Sequence, residues 1–195
     1  WFSGGKLNTC FNCIDRHVNN GIGDKVALIY DSPVTGQKKN FTYIDLLNKV
    51  SSLAFALNKA GVKKGDRVII YMPMIPEVIF SMLACARIGA IHSVVFGGFS
   101  SNELSNRVDD AKPKIILSAS CGIESNRIVN YKKILDSSLK ISSHKPIAQV
   151  IYQREQYICE MKNDGDIDWN SFIDNNSIID CVSVNSNDPL YILYT

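Results

Sequence analysis

The hydrophobic positions of this chain follow two different periods. Leu46, Leu47, Val50, Leu53, Ala54 and Leu57 recur at helical spacing. Thr42 with Asp45 three residues on predicts a capping box at the start of that helix, and Gly61 its end. By contrast, residues 67–71, 91–95 and 114–119 are short apolar runs with little alternation. Such runs are expected of strands covered on both faces, as in a parallel sheet. Between them, Pro73 and Pro76 open a helix over residues 77–88 that Gly89 closes, and Ser100 or Ser101 caps another over residues 102–110. The order strand, helix, strand, helix, strand predicts an α/β fold with a βαβ doubly wound sheet.

A helix over residues 8–18 is predicted ahead of this series. A hairpin follows, with arms at 26–30 and 39–42 and a turn through Asp31-Ser32-Pro33-Val34-Thr35-Gly36. Beyond it, residues 131–139 read as a helix and 148–152 as a strand. Residues 153–166 read as a polar surface loop and 168–174 as one or two helical turns. A last apolar strand is predicted at 190–194 after Pro189. Termini usually fray into polar surface. A chain that opens on Trp1-Phe2 and closes on such a strand is expected to be an internal piece of a larger protein.

Composition narrows the picture without redirecting it. The 195 residues are 46% hydrophobic and 21% charged, which suits a globular domain. Lysines and arginines number 21 against 19 acidic residues, a net charge of +2, which argues against a nucleic-acid or polybasic membrane surface. No apolar run reaches the roughly 18–20 residues of a membrane span; the longest are interrupted by Arg87 and Gly89. The cysteines are Cys10, Cys13, Cys85, Cys121, Cys159 and Cys181. Cys10 and Cys13 have C-x-x-C spacing with His17 one turn on, but no second ligand pair follows at zinc-site spacing. The simpler reading is a helix with Cys10, Phe11, Ile14 and Val18 facing inward. Scattered cysteines suit a reducing compartment.

Neither a Gly-x-Ser-x-Gly elbow nor a Gly-x-x-x-x-Gly-Lys-Ser/Thr phosphate loop is present. Two loops stand out because ligands gather beyond the carboxyl ends of strands in open α/β sheets. One is Val95-Phe96-Gly97-Gly98-Phe99-Ser100, whose paired glycines allow close backbone approach, though spacing alone favours a plain strand-to-helix turn. The other is Gly122-Ile123-Glu124-Ser125-Asn126-Arg127, where Arg127 offers a planar fork of donors suited to phosphate, or simply a solvated surface cation. Because they follow successive strands of one expected sheet, the two loops are expected to line one rim. His92 is expected within a strand. Arg107 with Asp109 and Asp110 reads as a helix-end charge cluster.

Longer motifs carry a resemblance. Trp1-Phe2-x-Gly4-Gly5-Lys6-Leu7-Asn8 with Asp15-Arg16-His17, Tyr71-Met72-Pro73-Met74-Ile75-Pro76-Glu77, and above all Leu83-Ala84-Cys85-Ala86-Arg87-Ile88-Gly89-Ala90-Ile91-His92-Ser93-Val94-Val95-Phe96-Gly97-Gly98-Phe99 resemble short-chain acyl-CoA synthetases. Pro189-Leu190-Tyr191-Ile192-Leu193-Tyr194-Thr195 resembles the strand that leads into that superfamily's phosphate loop. The stretch Ser120-Cys121-Gly122-Ile123-Glu124-x-x-Arg127-x-Val129-x-Tyr131 is similar to the propionate-activating branch, the mitochondrial short-chain family member 3 type.

The resemblance implies the first part of an adenylate-forming α/β domain. Residues 1–20 would be the family's N-terminal segment, and residues 21–195 the AMP-binding domain up to its phosphate loop. It implies an ATP-dependent acid–thiol ligase acting on a short-chain carboxylate, propionate preferred, with an acetate–CoA ligase of the same family as the alternative, and with Mg²⁺, ATP and coenzyme A. It implies coenzyme A contacts at Phe96, Gly97, Gly98, Glu124, Ser125, Asn126 and Arg127. Arg127 would be the principal phosphate contact, since Glu124 stands where acetate-type relatives carry an Arg. Catalytic residues would lie beyond Thr195, and no metal ligand is assigned. No nucleic-acid partner and no membrane span are implied. The compartment implied is the mitochondrial matrix, with cytoplasm the alternative. The chain by itself is expected to be inactive, or to act as a non-catalytic binding module.

Overall fold

The computed structural model describes residues 2–124, 127–174 and 177–194. In chain order, β1 (Lys6–Leu7) precedes a π-helical turn over Phe11–Asp15 that runs into α1 (Arg16–Asn19). Then come β2 (Val26–Ser32), β3 (Gln37–Thr42), α2 (Tyr43–Lys59), β4 (Arg67–Tyr71), α3 (Pro76–Arg87), β5 (Ile91–Val95), α4 (Ser101–Ala111) and β6 (Ile115–Ala119). The chain continues through β7 (Cys121–Glu124), β8 (Arg127–Asn130), α5 (Tyr131–Ile141), β9 (Ala148–Tyr152), β10 (Asp166–Asp168), α6 (Trp169–Phe172) and β11 (Val184–Asn185). It divides into two compact units, residues 1–65, 75–90 and 173–190, and residues 66–74, 91–172 and 191–195.

In the first unit, the capping box at α2 is complete. Thr42 Oγ1 accepts from the Asp45 N–H at 3.1 Å, and Asp45 Oδ2 accepts from the Thr42 N–H at 2.9 Å. A cap of this kind contributes about 1 kcal/mol. Leu46, Val50, Leu53, Ala54 and Leu57 form the buried face of α2, which packs against α3. Pro76 occupies the first turn of α3, where its missing N–H removes no helical bond. The hairpin β2–β3 is antiparallel with an irregularity between Val26 and Leu28, and Gly36 turns at φ +67°.

The helix at residues 8–18 differs from its predicted form. Cys10 and Ile14 are fully buried, but Phe11 is 41% exposed. A π-helical turn inserts one residue relative to α-helical phase. The turn over Phe11–Asp15 therefore rotates Phe11 off the inward face that a uniform helix would have given it.

The second unit holds the doubly wound parallel sheet, in the order β10-β9-β6-β4-β5. Register is continuous from Val68↔His92 to Tyr71↔Val95 on one side of β4, and from Val68↔Ile115 to Tyr71↔Ser118 on the other. Ile69 and Tyr71 of β4, Ile116 of β6 and Ile151 of β9 face a core completed by Leu104 and Val108 of α4 and Tyr131 and Leu135 of α5. Each fully buried Leu or Ile of this kind contributes about 1.5–3 kcal/mol. No helix among the described residues is long and apolar enough to cross a membrane.

Two expectations for this unit are corrected. Residues 153–166 are not all loop, since Asp166 begins β10, which adds to β9 in parallel. Its place is held by charge: Lys132 of α5 is buried, and its ammonium meets Asp166 at 2.9 Å and also pairs with Asp136. The strand expected at 190–194 is reduced to one parallel bridge, Tyr191 with His92, and a hydrogen bond from the Ile192 N–H to the His92 carbonyl at 2.9 Å. Tyr194 turns toward α4 instead. Its hydroxyl donates to Asp110 Oδ2 at 2.6 Å, and Arg107 lies 5.1 Å above its ring.

Candidate functional site

Strand β4 has β5 on one side and β6, the next strand in sequence, on the other. The chain therefore reverses its winding direction at β4, and a ligand crevice is expected beyond the carboxyl ends at such a point. The loop after β5 begins at Phe96, and the segment after β6 begins at Ser120. The two sequence-selected loops thus flank β4 instead of following neighbouring strands, and a side chain must fill the gap between them.

Two tyrosines do so. Tyr71, at the carboxyl end of β4, donates its hydroxyl to the Gly97 carbonyl at 3.3 Å. Tyr131, at the start of α5, stacks on Tyr71 with ring centroids 4.9 Å apart and planes 26° from parallel. A Cβ on Gly97 would lie 1.8 Å from the Tyr131 hydroxyl oxygen, and one on Gly122 would lie 2.5 Å from the same ring. Both glycines are required because the Tyr131 ring already occupies that space. This is a different reason from ligand approach. Neither residue has a positive φ. Burial, with the Glu124 carboxylate adding to it, pushes the Tyr131 phenol up to about 12. Burial also raises Tyr71, with Tyr131 and Glu124 contributing. Both rings are neutral packing groups at physiological pH.

The loop after β6 is a hairpin, not the open loop expected. Strands β7 and β8 pair antiparallel, from Cys121↔Asn130 to Glu124↔Arg127. Ser125 and Asn126 lie outside the described residues. Ser120 anchors its base: its hydroxyl accepts from the Arg154 N–H at 2.9 Å, and its carbonyl accepts from the Tyr131 N–H at 3.1 Å. The buried Arg154 donates to the Cys121 carbonyl at 3.1 Å. Register places Glu124 opposite Arg127, and their side chains meet at 3.3 Å, with that of Arg127 75% exposed. The guanidinium is therefore paired, not free. Exposed pairs of this kind are worth about 0–1 kcal/mol, and a phosphate that accepts two hydrogen bonds competes easily with one.

Across the gap, Phe96 is 71% exposed and meets Phe99 edge-on at 5.9 Å. The Phe99 N–H closes the turn onto the Phe96 carbonyl at 3.2 Å. Ser100 caps α4 by accepting from the Glu103 N–H at 3.3 Å. A Cβ on Gly98 would lie 3.8 Å from Glu124 Oε1, so the Glu124 side chain approaches the glycine turn. Phe96, Gly97, Gly98, Glu124 and Arg127 are thus gathered on one edge, with an exposed aromatic face at one end and a guanidinium at the other. Sequence reasoning missed Tyr71 and Tyr131, which join the halves. The signal available was two glycines facing a Tyr in the next segment, but only tertiary pairing made it readable.

Other expected features fall elsewhere. Arg107 is not clustered with Asp109. It pairs with Glu103 at 2.9 Å and stacks 4.3 Å over Phe99. Asp109 instead accepts from Ser142, Ser143 and the His144 N–H, which hold its carboxyl well below the usual range. His92 is buried in β5, and desolvation lowers its pKa to about 4. Among the described residues, the one group of three closely spaced potential metal ligands is Cys10, Asp15 and Cys181. The Arg87 guanidinium sits on two of them, with its nitrogen 2.8 Å from Asp15 Oδ2 and 3.4 Å from the Cys10 sulfur. Two soft thiols beside a fixed cation do not fit Mg²⁺, which demands hard oxygen ligands.

Comparison with known proteins identifies the frame that carries this edge. The family model described as AMP-binding enzyme matches residues 14–195. The chain is 54% identical over 196 residues to the human protein named acyl-CoA synthetase short-chain family member 3, mitochondrial. That match covers all of this chain and 29% of the relative. It is 42% identical to an acetyl-coenzyme A synthetase of Pasteurella multocida, covering all of this chain and 30% of that protein. The structure of acetoacetyl-CoA synthetase from Streptomyces lividans superimposes on the whole chain with a TM-score of 0.86 at 22% identity, covering 29% of that chain, which shows the shared fold. The chain therefore spans under a third of the length of the relatives it matches. By its sequence match across residues 14–195, this chain belongs to the AMP-binding enzyme family and is closely related to the mitochondrial short-chain acyl-CoA synthetases of the member 3 type.

Proposed function

We propose that the protein containing this chain is an ATP-dependent acid–thiol ligase of the mitochondrial matrix. It converts a short-chain carboxylate, propionate by preference, and coenzyme A into acyl-CoA, AMP and pyrophosphate. In the first step a carboxylate oxygen bonds to the α-phosphorus of ATP, and the bond to pyrophosphate breaks. In the second the thiol sulfur bonds to the acyl carbon, AMP leaves, and the thiol proton passes to solvent. Residues 1–20 are read as the N-terminal segment and 21–195 as the first part of the AMP-binding domain. The observation that carries this reading is 54% identity over all of the chain to the mitochondrial member 3 protein. No step is assigned through Mg²⁺, because the described ligand cluster does not suit it.

This chain's own contribution is to hold coenzyme A. Phe96 offers an exposed ring for the purine, and the Gly97-Gly98 turn forms the floor. The phosphate end of coenzyme A is assigned to Glu124, Ser125, Asn126 and Arg127. Arg127 exchanges its exposed Glu124 partner for a phosphate, and Glu124 holds the guanidinium in place until then.

Thioester formation by the full-length protein on acetate, propionate and butyrate tests the reaction, and equal or better use of acetate defeats the propionate assignment. For the rim, Arg127→Ala should raise KM for coenzyme A by about 10–100-fold, the loss of one charge-assisted contact of about 1.5–3 kcal/mol. ATP–pyrophosphate exchange with the carboxylate should stay unchanged. An unaltered KM for coenzyme A would remove Arg127 from the site.

A further inference from the structure

The proposed ligase chemistry makes no use of the most unusual polar cluster in the first unit. Cys10 is fully buried where the π-helical turn begins, and Cys181 is half-buried in the irregular segment before β11. Their sulfurs and an Asp15 carboxylate oxygen all lie within 4.8 Å of one another. Buried Arg87, at the end of α3, organises the group. It donates to Cys10 Sγ at 3.4 Å, to both Asp15 oxygens at 2.8 and 2.9 Å, and to the Ile179 carbonyl at 2.6 Å. The Cys181 thiol reaches Asp15 Oδ2 at 3.6 Å.

Hydrogen bonds hold the backbone on both sides of Cys181. Ser51 Oγ accepts from the Ile179 N–H at 2.9 Å, and the Val182 N–H donates to the Arg87 carbonyl at 2.9 Å. Cys181 is thus presented to Cys10 by fixed flanks but lies in no helix or strand that would resist a small shift. A cavity of about 400 Å³, lined by Asp15, Arg87 and Cys181 among others, leads to the cluster.

A cation is a poor occupant, because Arg87 already places a positive charge on the carboxylate and on one sulfur. The same charge favours a thiolate at Cys10. The hydrogen bond from Cys181, then that from Arg87, holds Cys10 below the ordinary thiol value despite its burial. The same contact with Cys10 raises the Cys181 thiol. A sulfur that accepts from a fixed guanidinium beside a second thiol, with a small cavity for a reagent, is the arrangement of a reactive and a resolving cysteine.

We propose that Cys10 and Cys181 are a covalent modification site, closing to a reversible disulfide on reaction with a hydroperoxide. The Cys10 thiolate attacks one peroxide oxygen, the O–O bond breaks, and the leaving alkoxide or hydroxide takes a proton. Cys10 becomes a sulfenic acid. The Cys181 sulfur then attacks the Cys10 sulfur, the S–O bond breaks, and water leaves with the Cys181 proton. Overall, two thiols lose two electrons and two protons, and the hydroperoxide becomes an alcohol, or water, plus one water. The sulfurs must close to about 2 Å, a shift that the irregular segment carrying Cys181 can take up. The inference stands apart from the ligase assignment.

The test treats the reduced chain with hydrogen peroxide, alkylates the remaining thiols, and maps peptides by mass spectrometry without reductant. Cys13 is the internal control, since it is exposed, three residues from Cys10, and raised in pKa by burial of its surroundings and by Cys10. The expected product joins Cys10 to Cys181 with loss of two hydrogens, leaves four of the six thiols open to alkylation, and reverts with dithiothreitol. Cys10→Ser and Cys181→Ser should each abolish the linkage, whereas Cys13→Ser should leave it unchanged. The wild-type map decides the matter even if a serine variant fails to fold. Sulfenylation of Cys13 while Cys10 and Cys181 remain thiols, a Cys13–Cys181 linkage, or a stoichiometric metal held by the reduced chain would each overturn the proposal.

Discussion

Replacing Gly97 by Ala tests whether Tyr131 joins the two halves of the rim. The added methyl would lie 1.8 Å from the Tyr131 hydroxyl oxygen and 2.3 and 2.6 Å from two atoms of its ring, far inside the roughly 3.5–4.0 Å of a comfortable contact. The ring has no easy retreat. Tyr71 stacks on it, it is 3% exposed, and Gly122 approaches it closely as well. Overpacking of this kind costs about 1–3 kcal/mol. With an m-value of about 2–3 kcal/mol/M, the urea midpoint should fall by about 0.3–1.5 M. Tyr131→Ala alone should cost about 3–5 kcal/mol by opening a cavity. In the double variant the methyl enters the space the ring vacated, so the double variant should be no less stable than Tyr131→Ala alone. The coupling then recovers the Gly97→Ala cost of about 1–3 kcal/mol. Fluorescence of Trp169, buried in the same unit and edge-on to Tyr152 at 5.9 Å, reports the unfolding. Costs that add within about 0.5 kcal/mol would refute the idea that the glycine exists to admit the ring.

Two further outcomes follow from buried charge. His92 titrates near 4 in the folded chain because it is desolvated, against about 6.5 when unfolded, so its contribution is fully present above pH 6.5 and is lost as pH falls toward 4. Between pH 7 and 5 the stability lost to this group should be about 2 kcal/mol, and His92→Asn should remove that share of the pH dependence; an unchanged slope in urea titrations would contradict it. Arg87→Met removes both of the guanidinium's hydrogen bonds to Asp15 in a setting where Arg87 is 3% exposed, and should cost about 3–5 kcal/mol in thermal or urea unfolding, whereas a loss below 1 kcal/mol would show the pair to be dispensable.

The candidate site was only half legible in the sequence. Phe96-Gly97-Gly98 could be found because two glycines after an apolar run and before a capping Ser are local features. Arg127 could be found as a cation, but its pairing with Glu124 could not. That contact depends on a hairpin of two four-residue strands that form a two-stranded sheet of their own and carry no clear period. Strand β10 was hidden for a similar reason. Asp-Ile-Asp reads as loop until Lys132 arrives from α5 to neutralise Asp166.

What the sequence determined by itself was the alternation of elements. The Thr42–Asp45 capping box, the Ser100 cap, Pro76 in its first turn and the apolar strands of the sheet all act within a few residues, so local physics suffices to place them. Tertiary structure decided which ends meet. It placed β4 between the two loops, turned Phe11 outward through a π-helical turn, and brought Cys181 to Cys10 from 171 positions away in the sequence. It also filled the space between Gly97 and Gly122 with a single tyrosine ring. The physical reason is the same in each case. A cap or a strand is stabilised by its own neighbours, whereas a buried ring, ion pair or thiol pair is stabilised only by groups that the finished fold delivers.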